Sequence, residues 1–156
     1  MRGYRLALIT IAPLLLAASQ PVGQVCPHPA HPCRGFRAHD LSFVLPHDGV
    51  ARAEVRSDRF YAVILRSAPR CTIPESDRVA AQHRFPTRKV FSQRFECDDD
   101  IENNVSYAGA NNARAFLAVY AGATRHRADA TLAAVVRTHR FPGANLRRMQ
   151  VVYNYP

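Results

Sequence analysis

Residues 116–155 read FLAVYAGATRHRADATLAAVVRTHRFPGANLRRMQVVYNY, and this stretch decides the fold. Its opening run, 116–121, is apolar and rich in β-formers, and Gly122 ends it. Thr124 is a natural N-cap for a following helix. Ala128, Leu132, Val135 and Val136 recur at i, i+4, i+7 and i+8, the spacing of one helical face. Phe141-Pro142-Gly143 stops that helix, because proline cannot continue it and glycine suits the turn. Alternation returns over 146–155: Met149, Val151, Tyr153 and Tyr155 share one side, Arg148 and Gln150 the other. The C-terminal unit is therefore strand–helix–strand.

An earlier unit of similar length precedes it. Residues 60–68, FYAVILRSA, are continuously apolar at the start, as in a central strand partly covered on both faces. Thr72-Ile73-Pro74-Glu75 has the pattern of a capping box with proline in the first turn. It predicts a helix over 73–84, with Val79, Ala80 and Ala81 inward and Phe85 closing it. Residues 89–95 alternate and carry charge, which suits an edge strand. Residues 96–113 read as a polar loop, and the spacing of Asp98, Asp99 and Asp100 matches no calcium loop. The order strand, helix, strand, strand, helix, strand predicts an α+β, ferredoxin-like βαββαβ fold. Its four-stranded antiparallel sheet would carry both helices on one face.

The N-terminus speaks to compartment. Arg2 and Arg5 precede an apolar run over 6–18, and Ala17, Ala18 and Ser19 supply small residues for a peptidase. This predicts a signal peptide over 1–24. The run is shorter than the roughly 20 residues of a membrane span, so no stable anchor is expected after cleavage. At 156 residues the chain is about one domain. Its net charge of +9 falls to +7 without the leader, and Lys89 is the one lysine among many arginines. Such a balance favours anionic partners.

Four cysteines fit an oxidising compartment, periplasmic or secreted. Of the three possible pairings, their placement favours Cys26–Cys33 and Cys71–Cys97, and the second would stabilise by roughly 3–4 kcal/mol in the chain-entropy view. Residues 25–57 form a Pro-rich tail and extended arm, exposed over 25–40, ahead of a folded domain at 58–156. Cys26, His28, His31 and Cys33 are potential copper or zinc ligands, but Pro27, Pro29 and Pro32 hinder their convergence. No metal and no other cofactor is expected.

Ala118-Val119-Tyr120-Ala121-Gly122, a helix with small Ala128 and Ala130, and Phe141-Pro142-Gly143-Ala144 together resemble the SPOR domain. The resemblance spans about 60–155 and is weaker in the first half. There 61–67 lacks the family's usual Gln and Gly, and Cys71 and Cys97 depart from its pattern. It implies a non-catalytic module that binds peptidoglycan glycan strands, preferring those stripped of stem peptides, through an exposed sheet face. Strand alternation sends Leu117, Val119 and Ala121 toward the helices, together with Met149, Val151 and Tyr153. Phe116, Tyr120, Arg148 and Gln150 are then the expected ligand-binding residues, offering rings for sugar stacking and donors for glycan oxygens.

Other classes fit less well. A partner-binding domain of a cell-envelope complex would share this composition. A nucleic-acid module can share the strand order, but the aromatic strings of RRM strands are absent and no nucleic acid is expected. For an enzyme, His83, His126, His139, Asp77 and Asp129 show no nucleophile or acid–base pattern.

Overall fold

The computed structural model describes residues 21–46, 54–94, 97, 104–111 and 113–155. Most of the expected signal peptide and the acidic cluster at 98–100 lie outside these residues. The elements run β1 (Val25–Cys26), β2 (Ser42–Phe43), β3 (Glu54–Arg56), β4 (Phe60–Pro69), α1 (Glu75–Arg84) and β5 (Val90–Ser92). They continue with β6 (Val105–Ala108), β7 (Arg114–Gly122), α2 (Arg125–Arg137) and β8 (Asn145–Asn154).

The fold is α+β, with two helices on an antiparallel sheet. Within that sheet β8, β4, β7 and β5 are neighbours in this order, and β5 is an edge, as expected. The sheet is larger than the four strands expected. β3 pairs with the second half of β8, Val55 opposite Tyr153, and β6 pairs along the same half, Tyr107 opposite Val151. Both added strands come from segments read as arm and polar loop. Each is only three or four residues long, with alternate residues buried, so its apolar signal is two side chains at most.

The enlarged sheet curls. β6 and β5 lie toward opposite ends of the strand order, yet the Tyr107 and Phe91 rings are 5.1 Å apart. Phe116 touches both, at 5.4 Å from Tyr107 and 6.0 Å from Phe91. Two cores result, one on each face. The helix side holds Val63, Leu65, Leu117, Val119, Ala121, Ala128 and Val135. The other holds Phe60, Phe91, Tyr107, Phe116, Met149 and Val151, with Leu41 and Phe43 from the N-terminal segment.

The arm packs on the domain as expected over 41–45, but the stretch 25–40 is only partly exposed, with Cys26 and Asp40 buried. Leu41 and Phe43 are fully buried, and Phe36 packs 5.2 Å from Phe43 and 5.4 Å from Tyr153. The segment also closes the outer edge of β5: Lys89 N donates to Pro27 O at 2.8 Å and Ser92 N to His39 O at 3.0 Å. Even Gly23, inside the stretch assigned to the leader, is tied down, donating to Val44 O at 2.8 Å and accepting from Asp58 N at 2.7 Å. The driving force is burial: the curled face is too apolar to meet water, and the segment supplies the missing layer. Both disulfides pair as expected, with Cα–Cα distances of 5.8 Å for Cys26–Cys33 and 5.1 Å for Cys71–Cys97.

The helices differ from expectation in detail. Thr124 caps α2 as predicted, its side chain accepting from Arg127 N. The buried residues of α2 are Ala128, Thr131 and Val135, and Val136 is 53% exposed. Thr131 is inside because its hydroxyl donates within the helix to Arg127 O at 3.0 Å. In α1 the N-cap is Pro74, and the Thr72 hydroxyl donates instead to Pro69 O at 2.7 Å, so no capping box forms. Ala81 faces the sheet as expected, but its buried companion is Arg78, while Val79 is 40% exposed. Arg78 is accepted there because its guanidinium donates to Glu75 at 2.7 Å and to Val90 O at 3.4 Å. Val135→Ala should cost about 2–3 kcal/mol in urea unfolding, and Val136→Ala within about 0.5 kcal/mol of nothing. Equal costs would mean the helix is rotated.

Candidate functional site

The four residues expected to form a ligand face do not come together. Phe116 is 3% exposed and lies in the ring cluster with Phe91 and Tyr107, so it is a core ring rather than an exposed stacking platform. Tyr120 is half-buried on the helix-free side, 5.9 Å from Phe60. Its hydroxyl pKa is raised by burial, which the charges of Arg127 and Arg88 oppose.

Arg148 lies on the other face. Met149, Val151 and Tyr153 belong to the helix-free core, whereas Leu146 packs on the helix side, which reverses the expected facing of β8. The reason is tertiary. Beyond Met149 the strand leaves β4 and runs between β3 and β6, past the helices, where its more apolar side meets the curl and the N-terminal segment. Gln150 serves structure, its amide donating to Ser57 O at 2.9 Å.

The potential catalytic and metal-binding residues are also accounted for. Asp77 accepts from Arg66 at 2.6 Å and Asp129 from Arg125 at 2.8 Å. His83, His126 and His139 are exposed. Cys26 and Cys33 are consumed by their disulfide, which leaves only His28 and His31, with ring centroids 5.0 Å apart, of that ligand set.

What the fold does assemble is an arginine-rich end. The close of β4, the start of β7, the start of β8 and the loop after α2 meet there. On the helix-free side a cleft of about 350 Å³ is floored by Ile64 and Phe116 and edged by Ser67, Asn111, Arg114, Asn145 and Arg147. Arg114 Nε donates to Ser67 Oγ at 3.1 Å, and Asn145 donates to Gly143 O at 3.1 Å. No acidic side chain lines this cleft among the described residues. The sequence carried a partial signal for it, the Arg147-Arg148 pair, of which strand geometry can bring only one member to a given face.

A buried ionisable cluster lies under the N-terminal segment, and sequence reasoning missed it. Asp40 is 3% exposed, its Oδ2 accepting from Arg37 N at 3.2 Å. Lys89 Nζ donates to Ala38 O at 2.7 Å, and Tyr107 Oη accepts from Leu41 N at 3.0 Å. Burial pushes the Asp40 pKa up to about 6, against the pull of Arg37 and Lys89. Burial also lowers the Lys89 pKa, helped by Arg78 and resisted by Asp40 and Glu75. Through Lys89 and Tyr107 the cluster ties residues 38 and 41 of the segment to the sheet.

Comparison with known proteins adds no assignment: the chain matches no family model, and no curated protein or solved structure is significantly similar to it.

Proposed function

We propose that this chain is a non-catalytic, extracytoplasmic binding module with a SPOR-like, ferredoxin-like core, and that it recognises peptidoglycan glycan strands. Two disulfides support an oxidising compartment, and among the described residues no helix is long and apolar enough to cross a membrane. The neighbour order β8-β4-β7-β5 with a helix after β4 and after β7 is the one a split βαβ plan requires, and β3 and β6 extend it. The observation that carries the functional reading is the cleft of Arg114, Arg147, Asn111 and Asn145 over Ile64 and Phe116. It lies on the helix-free face and is edged by planar donors. Guanidinium and amide groups match sugar hydroxyls and acetamido oxygens, and would pair with carboxylates of a stripped glycan strand.

The site is shallow, so affinity should be weak, micromolar or poorer. Retention on amidase-treated sacculi should fall about tenfold in the double variant Arg114→Ala, Arg147→Ala, with little change in thermal transition because both side chains are exposed. Tyr120→Ala, Arg148→Ala should leave retention within about twofold of the parent, since those residues occupy opposite faces. Unchanged retention in the first variant would remove the cleft from the reading, and a parent that never binds sacculi would remove the glycan.

A further inference from the structure

The opposite, helix-bearing face carries a second groove, of about 470 Å³, that the glycan reading does not use. Its floor is Leu65, Leu117 and Ala81, each 3% exposed. One wall is Phe141 and Pro142, from the loop after α2, with Phe141 braced 6.3 Å from Phe85. The rim bears Arg66, Arg84 and Arg140, with Asp77 the sole acid. Asp77 is engaged by Arg66 at 2.6 Å. The guanidinium groups of Arg84 and Arg140 have no carboxylate partner among the described residues.

We propose that this groove binds the C-terminal end of a partner polypeptide, its free carboxylate held by Arg84 and Arg140 and an apolar last side chain seated on Leu65, Leu117 and Phe141. Charge complementarity selects an anion, because two guanidinium groups stand beside an apolar floor and a carboxylate is their planar, bidentate match. The floor selects an anion with an apolar group directly attached. The groove is open along the exposed side chains of Arg66, Ser67 and Pro142, so a free alkyl chain would keep much of its length in water. A peptide backbone is content to leave along that polar rim.

The test uses fluorescence anisotropy on the exported protein with fluorescein-labelled glycyl-alanyl-leucine, as the free acid and as the C-terminal amide. The acid should bind, the amide about tenfold more weakly, and the double variant Arg84→Gln, Arg140→Gln should lose about tenfold for the acid alone. Both arginines are exposed, so the variant should melt with the parent. Equal binding of acid and amide, an unaffected double variant, or no binding at about 1 mM peptide would each overturn the proposal. Octanoate competing as well as the peptide would also overturn it, in favour of a fatty carboxylate. None of these outcomes depends on sacculus retention, which is read through Arg114 and Arg147.

Discussion

Phe43→Ala should destabilise the protein by about 3–5 kcal/mol, the usual cost of deleting a fully buried ring. Phe43 has no exposed surface, and it lies in one cluster with Phe60, Phe91, Tyr107 and Phe116. The cavity would open between the N-terminal segment and the curled sheet. The segment is held there by hydrogen bonds from Lys89 N to Pro27 O and from Ser92 N to His39 O, so it cannot collapse freely into the space. For a domain of this size such a loss is a large fraction of total stability and should lower the melting temperature by more than about 10 °C. Val136→Ala, at a side chain 53% exposed, is the control and should change little. A cost below about 0.5 kcal/mol for Phe43→Ala would mean that the segment is a dispensable tail after all. Phe116→Ala should behave like Phe43→Ala, which separates a core ring from one that stacks a sugar on the surface.

The second large effect is a pH dependence that runs opposite to the usual carboxylate. Asp40 has its folded pKa raised from 3.8 to about 6, chiefly by burial. Between these values the folded chain holds a proton that the unfolded chain has released. Unfolding free energy therefore falls as pH rises through this window. The contribution of Asp40 is full below 3.8 and is lost by the time pH passes about 6. A difference of about two pKa units corresponds to about 3 kcal/mol. The groups facing Asp40 are Arg37 and His39 on its own segment, Lys89 beside β5, and Tyr107 on β6. His39 Nε2 stands 3.6 Å from Asp40 Oδ1, and histidines ordinarily titrate close to this window, so His39→Gln should be measured alongside. Urea midpoints from pH 4 to 7.5 should show the parent losing stability relative to Asp40→Asn as pH rises. Parallel curves for the two proteins would show that Asp40 does not carry the effect. Surface ion pairs such as Arg66–Asp77 weaken in acid, which is why the difference between the proteins is the quantity to read.

The two effects share one origin. The segment that closes the apolar face also carries Asp40 beneath it, so the burial that stabilises Phe43 raises the Asp40 pKa. Loosening either should therefore perturb the other.

Local features were legible in the chain itself. Thr124 announced α2, Phe141-Pro142-Gly143 ended it, and the long apolar runs announced β4 and β7, because caps, breakers and periodicity act within a few residues. Cysteine placement pointed to the two disulfides. The apolar residues on both sides of 60–65 already implied two covered faces, and Leu41, Phe43 and Leu45 alternate as a covering strand would. What the chain could not show was which element covered the second face. β3 and β6 are too short to announce themselves, and they become strands only because β8 overruns the helices and offers them an edge. That overrun turned Met149 and Val151 away from the helices, separated Tyr120 from Arg148, and buried Phe116. At the other end of β8, its pairing with β4 and that of β4 with β7, beside α1 and the loop after α2, gathered Arg66, Arg84, Arg114, Arg140 and Arg147 from distant parts of the sequence. Alternation assigns a residue to one of two sides of a strand, but only the packing of the other layers decides which side is core, and that energy is non-local.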